Sequence, residues 1–315
     1  MEGPVLTIQT REHLYVPVTA GEVLLERFRA GAPGKLSFQV VKDDVISFHE
    51  GDRVVFSLGE KVVFSGFVFS KRRRFGEVIA VTAYDQLRYL KNRDTYIYER
   101  LSATQLVRQV AADWGISCGE IQHTRYSIPG RVENGRPLLD IIQTALDLTA
   151  EQTGRLFVLY DDGGELQLRH VQDLALDILI YEGSIGEFDY TSSIDRGTYT
   201  AVRLYQPEGA AVEARRRDLV ERWGMLRYFG RLGDGIDGGD TAQKILEQRG
   251  QKTRRLSILD AAGDVRVRGG TLLPVQLDLG DMVVEEFLMV ERVTHRFSEG
   301  GHTMDMTLVG GEFVD

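Results

Sequence analysis

Short apolar runs, each closed by a glycine-bearing turn, constrain this chain more than any other feature. Residues 22–28 and 35–41 flank Ala30-Gly31-Ala32-Pro33-Gly34. Glu50-Gly51-Asp52 leads into 53–58, Gly59-Glu60 into 61–70, and a charged turn, Lys71 to Arg74, into 77–84. Such runs read as strands, although 22–28 also fits a short helix. Within 61–70, Val62, Val63, Phe64, Phe67, Val68 and Phe69 are apolar on both faces, as in a strand covered on both sides. The 315 residues include 34 Gly and only 7 Pro, a balance that suits tight turns between strands rather than a flexible or proline-rich linker. Many short strands closed in this way predict a barrel or sandwich.

The middle of the chain changes period. Asp85 to Leu90 reads as a short helical turn. Ser102-Ala-Thr-Gln105 matches a capping box, with Leu106, Val107, Val110, Ala111 and Trp114 following at helical spacing up to Gly115. Pro137 fits the first turn of a second helix, with Leu138, Ile141, Ile142, Ala145 and Leu148 on its apolar face and Gly154 as C-cap. A hairpin over 155–160 and 165–171 follows, turning at Asp161-Asp162-Gly163-Gly164. The β pattern returns over 198–205, 255–259, 265–268, 273–277, 282–297 and 304–309. One helix, 241–249, interrupts it, with Asp240 as N-cap and Gln243 at the third position. The expected fold is mainly β with an α+β insertion: a first β-barrel domain over residues 1–98, an inserted α/β segment over 99–180, and a second β-barrel domain with one helix over 181–315.

The two β regions echo each other. Gly51-Asp52-Arg53-Val54 and Gly280-Asp281-Met282-Val283 share Gly-Asp-x-Val. Each precedes a long strand, a polar turn and an alternating strand, and the spans Gly51 to Thr82 and Gly280 to Thr307 differ by a turn's length. General likeness between β-meanders is the competing explanation. A true duplication would let three chains in a ring present six similar units, matching a six-fold partner with a three-fold protein.

Chemistry is hard to find. Lys plus Arg is 38 against 47 Asp plus Glu, a net charge of −9, which argues against general binding to nucleic acid or anionic membrane. The single cysteine, Cys118, excludes an intrachain disulfide and any multi-cysteine metal site. No signal peptide and no apolar run of membrane-spanning length is present, so a soluble product made in a reducing compartment is expected. Gly233-Asp234-Gly235-Ile236-Asp237-Gly238 has dinucleotide-motif spacing, but its aspartates would repel a phosphate. The same loop lacks the EF-hand pattern for calcium. His295, His302 and Asp305 flank one hairpin without zinc spacing, and read as solvated. Cys118 near His123 lacks an evident orienting partner, and Gly183-Ser184-Ile185-Gly186 falls short of a nucleophile elbow. No catalytic, metal or cofactor site is expected. Candidate interface residues are the basic Arg72, Arg73 and Arg74, and the aromatic stretch of Trp223, Met225, Tyr228 and Phe229; a core strand is the competing reading of the latter. Arg215-Arg216-Arg217 is a second basic run, expected in a loop.

Several of these residues carry a resemblance. Gly51-Asp52, Phe64-Ser65-Gly66 and the run Val81-Thr82-Ala83-Tyr84-Asp85-Gln86-Leu87-Arg88-Tyr89-Leu90-Lys91-Asn92 resemble the N-terminal signature of XkdQ/YqbQ-type phage tail proteins. The helix from Ser102, the hairpin from Thr153-Gly154 and the region around Gly280-Asp281, Val290, His295 and Leu308 continue the likeness. That family is similar to the baseplate hub of contractile tails and to the N-terminal part of VgrG-type spike proteins. The resemblance implies two tube-type β-barrels per chain and a homotrimeric ring at the distal end of the tail tube. Implied partners are the tail tube protein, the central spike and other baseplate proteins, with DNA passing through the lumen without specific binding and no membrane insertion. It implies a structural protein of a virion or phage-like particle, assembled in the bacterial cytoplasm, with no enzymatic residues. A tail-associated cell-wall hydrolase and a glycan-binding tail-tip module, with Trp223, Tyr228 and Phe229 as stacking platforms, are the alternatives.

Overall fold

The computed structural model describes residues 3–195, 197–205, 211–232, 237–310 and 313. The fold is mainly β, and the chain divides into two compact units. The first takes the chain up to Phe188 together with Ser257–Leu308; the second takes Asp189–Leu256 and the C-terminal end.

In the first unit the glycine-punctuated runs become one antiparallel sheet. Its order is Pro4–Gln9, Arg53–Leu58, Lys61–Arg73, Val78–Tyr84, Lys35–Val41 and Val23–Phe28. Residues 22–28 therefore take the strand alternative. Alternation along these strands sends Ile8, Leu25, Leu36, Phe38, Val54, Phe56 and Val81 into a common core. The distant strand Val283–Ser298 extends the same sheet. Its second half pairs with Val23–Phe28, and its first half pairs with Leu272–Asp278. Phe297 thereby joins the first core, edge-on to Phe56 at 4.8 Å. The two β regions thus share a sheet through one sixteen-residue strand.

Two turn assignments are corrected. Lys71–Arg73 is strand, because Lys71, Arg72 and Arg73 pair with Val81, Ala80 and Ile79; the turn begins only after them. Conversely, 265–268 alternates like a strand but is a turn. Asp264 Oδ1 accepts from the Arg266 amide, and the amides of Val267 and Thr271 close on the carbonyls of Asp264 and Arg268. Gly269 then passes so close to the Phe28–Arg29 backbone that a Cβ would collide with it.

The inserted segment packs helices α1 (Ala103–Asp113) and α2 (Leu138–Thr153) against the hairpin Phe157–Asp162 and Glu165–His170. Ser102 and Gln105 form the expected capping box, and Gly154 closes α2 at φ +68°. Two elements were not legible: Cys118–Ile121, parallel to the hairpin, and the pair Arg93–Tyr98 with Arg131–Pro137. Both are short and polar, and the latter is broken by a register shift between Glu133 and Arg136.

In the second unit, Ala201–Tyr205 is flanked by Val212–Arg215, antiparallel, and Arg227–Arg231, parallel. Helices α3 (Arg217–Trp223) and α4 (Gly238–Arg249) complete it, with a small core of Val202, Leu204, Leu232, Ala242 and Leu246. α4 starts earlier than expected. Asp237, not Asp240, is its N-cap, accepting from the Asp240 amide, while Asp240 pairs with Lys244.

Candidate interaction surfaces

The basic run at the end of Lys61–Arg73 is split by its surroundings. Lys71 turns back, donating to the Phe48 carbonyl and lying over the Phe48 ring. Arg72, Arg73 and Arg74 are exposed, and none of the three forms an ion pair among the described residues. Phe75 follows at the tip with its side chain wholly in solvent. Arg72, Arg74, Phe75 and Ala80 line an open groove of about 260 Å³ beneath it. Two arginines of the other basic run, in the second unit, are paired locally: Arg215 with Glu213 at 2.9 Å and Arg216 with Asp218 at 2.6 Å.

The aromatic stretch resolves by strand alternation. Tyr228 turns inward, packing on the second unit's core and against Tyr199 at 5.2 Å. Phe229 turns outward, 63% exposed, and stacks on Tyr205 with centroids 5.0 Å apart and planes 11° from parallel. Met225 is exposed, and Trp223 ends α3 partly covered, beneath the Arg222 guanidinium. Thr200 pins the intervening turn by accepting from the Leu226 amide and donating to the Gly224 carbonyl. The stretch is thus both core and surface. Tyr205 was not among the candidates; only its cross-strand relation to Phe229 exposes its role.

The histidines are not solvated. His295 is fully buried, with Nδ1 3.0 Å from His302 Nε2 and Nε2 3.0 Å from the Val267 carbonyl. A carbonyl can only accept, so His295 Nε2 carries the proton. With His295 neutral, its Nδ1 accepts from His302 Nε2. Burial, with Arg27 and Arg268 nearby, pushes His295 well below the usual histidine range, and burial lowers His302 as well. Asp305 is taken by Arg296. Among the described residues no three His, Cys, Asp or Glu side chains converge as a metal set. Residues 233–236 of the acidic glycine loop lie outside the described residues.

One partly buried ionic cluster does exist, with Asp85 and Arg268 buried, Arg27 and Asp161 half-buried and Asp162 exposed. Arg27 Nη2 donates to the Val63 carbonyl, and its Nη1 to those of Val265 and Val267 at 2.8 and 3.4 Å. Val63 is the residue that the register skips at the bulge opposite Phe56 and Ser57, so Arg27 serves a carbonyl the ladder cannot. Arg268 pairs with Asp162 at 2.8 Å and stacks on Tyr160 at 4.2 Å. Asp85 accepts from the amides of Gly34 and Leu87, and burial beside Asp161 pushes its carboxyl up. Burial also brings Asp161 up to about 6, and brings Arg27 down to about 9, aided by the charge of Arg268. Paired carboxyl groups of raised pKa can mark acid–base sites. Here they border a cavity of about 30 Å³, room for one water and no substrate. The cluster ties the turn at 264–271 and the inserted hairpin to the first sheet.

The nucleophile candidates are equally structural. Cys118 is exposed, and desolvation pushes its thiol up, away from a reactive thiolate. Ser184 Oγ accepts from the Tyr181 amide and donates to the Tyr181 carbonyl. No helix among the described residues is long and apolar enough to cross a membrane.

Comparison with known proteins adds four findings. A family model described as YQBQ-like matches residues 23–309. The phage-like element PBSX protein XkdQ of Bacillus subtilis is 30% identical over 308 residues, covering 94% of each chain. The structure superposes on a prophage 43 kDa tail protein from Shewanella oneidensis with a TM-score of 0.69 at 14% identity, covering 98% of each chain. It also superposes on an E. coli type VI secretion system component with a TM-score of 0.58 at 11% identity, covering 97% of this chain and 76% of the other. These two superpositions define a shared fold.

Proposed function

The chain belongs to the YQBQ-like family, and from that premise we propose that it is a structural hub of a phage or phage-like tail baseplate. Three copies form a ring that adapts a six-fold tail tube to a three-fold spike. The observation that carries this reading is full-length agreement of the fold with a prophage tail protein, joined to 30% identity with a phage-like element protein. The arrangement of the first unit supports the mechanism. Two β regions with the same Gly-Asp-x-Val start share one sheet, so each chain offers two similar faces to a tube subunit. In this reading residues 1–98 and 181–315 supply the two tube-type barrels and 99–180 the insertion. The ring encloses a lumen through which DNA slides, repelled by the acidic chain rather than bound. The partners are the tube protein, the spike and neighbouring baseplate proteins, assembled in the bacterial cytoplasm. No catalytic step is part of the reading.

The test is reconstitution. Purified chain, tube protein and spike protein are mixed and imaged by negative stain. An ordered complex with three-fold symmetry is expected, and failure to associate with either partner overturns the proposal. The exposed, near-parallel Tyr205–Phe229 stack favours one second reading, a glycan-binding tip. That reading requires saturable binding of the isolated protein to cell-wall sugars, lost on Phe229→Ala.

A further inference from the structure

The first unit carries two hairpins of opposite net charge, and neither forms ion pairs through the charges named below among the described residues. The first is the tip that joins Lys61–Arg73 to Val78–Tyr84. It holds Arg72, Arg73 and Arg74, exposed and without ion pairs among the described residues, and the fully exposed Phe75. The second joins Leu272–Asp278 to Val283–Ser298. Between 272 and 289 it holds Asp278, Asp281, Glu285 and Glu286 and neither Lys nor Arg. All four carboxylates are exposed, and none forms an ion pair among the described residues.

The apolar groups of the two hairpins match as well. Strand alternation buries Val284 and Leu288 and turns Val283, Glu285 and Phe287 outward, leaving Val283 60% and Phe287 56% exposed. The acidic hairpin thus presents an aromatic ring beside a carboxylate. The basic hairpin presents an open groove of about 260 Å³ edged by Arg72 and Arg74, with the single carboxylate of Glu77 also on its lining, so the three arginines leave the tip net positive. An engineered protein cavity of about 150 Å³ admits benzene, so a phenylalanine ring fits this groove. Arginine at the rim would lie against the ring face and meet the neighbouring carboxylate, pairing charge and apolar surface in one contact. A phosphate backbone would use the arginines but leave Phe75 and the groove without a partner.

We propose that the occupant of the basic hairpin is the acidic hairpin of a second copy of this chain. The contact is heterologous, because it joins two different surfaces of one molecule. Each copy then gives one hairpin and receives one, and a rotation that closes makes a ring with no unpaired hairpin. The inference rests on the trimeric-ring reading, for which it supplies the seam between neighbours.

Charge reversal tests it on the full chain. Solution mass is measured by light scattering as concentration and salt are varied. The wild type is expected to form a trimer that weakens as salt rises, since the seam is charged and solvent-facing. Arg72→Glu/Arg73→Glu/Arg74→Glu and Glu285→Arg/Glu286→Arg should each raise the dissociation constant on the order of 100-fold, as like charges are brought together. Circular dichroism checks that both variants are folded. An equimolar mixture of the two variants should form heterodimers that neither forms alone, and a chain with both sets reversed should regain the trimer. A wild type that stays monomeric overturns this seam, as does a trimer indifferent to the reversals or a doubly reversed chain that fails to assemble. None of these outcomes bears on reconstitution with tube and spike proteins, so the hub reading stands or falls separately.

Discussion

Arg27 and Arg73 belong to one sheet, on Val23–Phe28 and Lys61–Arg73 with two strands between them, yet their guanidinium groups have opposite uses. Arg27 is spent inside. It donates to three carbonyls from two distant parts of the chain, one of them stranded by a β-bulge. The side chains of Arg72, Arg73 and Arg74 form no ion pair among the described residues and stand in solvent. The difference separates charge that specifies the fold from charge that remains available to a partner. A buried donor is fixed by the acceptors it must satisfy. An exposed, unpaired cluster has no such obligation and can change without the fold noticing.

The largest break in this contrast should come from Arg27→Met. Methionine fills much of the same space but leaves the carbonyls of Val63 and Val265 without the Arg27 donor, while that of Val267 keeps His295. Stranding such acceptors should cost about 3 kcal/mol or more, read as a lower urea midpoint by far-UV circular dichroism. Arg27→Lys should recover only part of it, because a point charge cannot serve acceptors in several directions as a planar fork can. Equal stability of Arg27→Met and wild type would mean that the inner arginine is as dispensable as the outer ones.

Gly269→Ala addresses the same region from the backbone side. The new methyl would collide with backbone atoms of Phe28 and Arg29, which cannot swing aside as a side-chain end can. A loss of about 1–3 kcal/mol is expected. The turn that supplies Arg27 with acceptors would be pushed off the strand that supplies Arg27 itself, so the double variant with Arg27→Met should lose less than the sum of the two. Additive losses would show that the turn and the arginine act independently.

The pH dependence sharpens the contrast further. His295 and His302 are neutral in the fold and have depressed pKa values, to which the charge of Arg27 contributes. A base whose folded pKa lies below its unfolded value of about 6.5 adds stability above that pH and loses it as pH falls. The native pair stays unprotonated while the unfolded chain takes up protons, so stability should drop by up to about 1.4 kcal/mol per pH unit for each histidine. Asp85 and Asp161 act in the opposite sense. Their raised pKa values keep protons on the native state that the unfolded state has released, so their contribution falls as pH rises from about 4 towards the value of about 6 for Asp161. Between pH 7.5 and 6 the raised carboxyl groups still titrate beside the histidines, so the histidine part is read by comparing variants in thermal melts over that range. His295→Gln/His302→Asn should lower the starting melting temperature and flatten its decline. Arg27→Met should flatten it partly, and substitution of Arg72, Arg73 and Arg74 should leave the slope unchanged.

What could be read in the sequence follows the same division between local and distant cause. The Ser102–Gln105 capping box and the Gly154 C-cap were legible because their partners lie within one helical turn. Arg72–Arg74 stood out as a run of like charge, although strand pairing with Ile79 and Ala80, rather than a turn, holds the first two. Arg27 was invisible as a functional position, since its acceptors lie up to 240 residues away. Residues 265–268 imitated a strand because two valines alternate with two arginines, and only tertiary contacts distinguish the turn. His295 and His302 sit where a surface hairpin was expected, but the sheet through Val23–Phe28 buries His295. In the second unit, alternation alone would have separated Tyr228 from Phe229; the stack on Tyr205 required the parallel pairing to be known.

The smallest expected effect is the one that completes the contrast. Arg72→Ser/Arg73→Ser/Arg74→Ser removes three positive charges from residues that are exposed and without ion pairs among the described residues. Arg72 and Arg73 hold their strand through backbone pairing with Ala80 and Ile79, which serine retains, and serine is tolerated at an exposed edge. Surface changes of this kind stay within about 0.5 kcal/mol of neutral, and the urea midpoint should follow. The variant also makes the net charge more negative, which adds only a diffuse repulsion that salt screens. A clear loss of stability would mean that the three arginines contact the fold after all, and would remove the distinction between inner and outer arginine on which the proposed seam depends. An unchanged midpoint together with loss of the trimer would place their whole contribution between molecules.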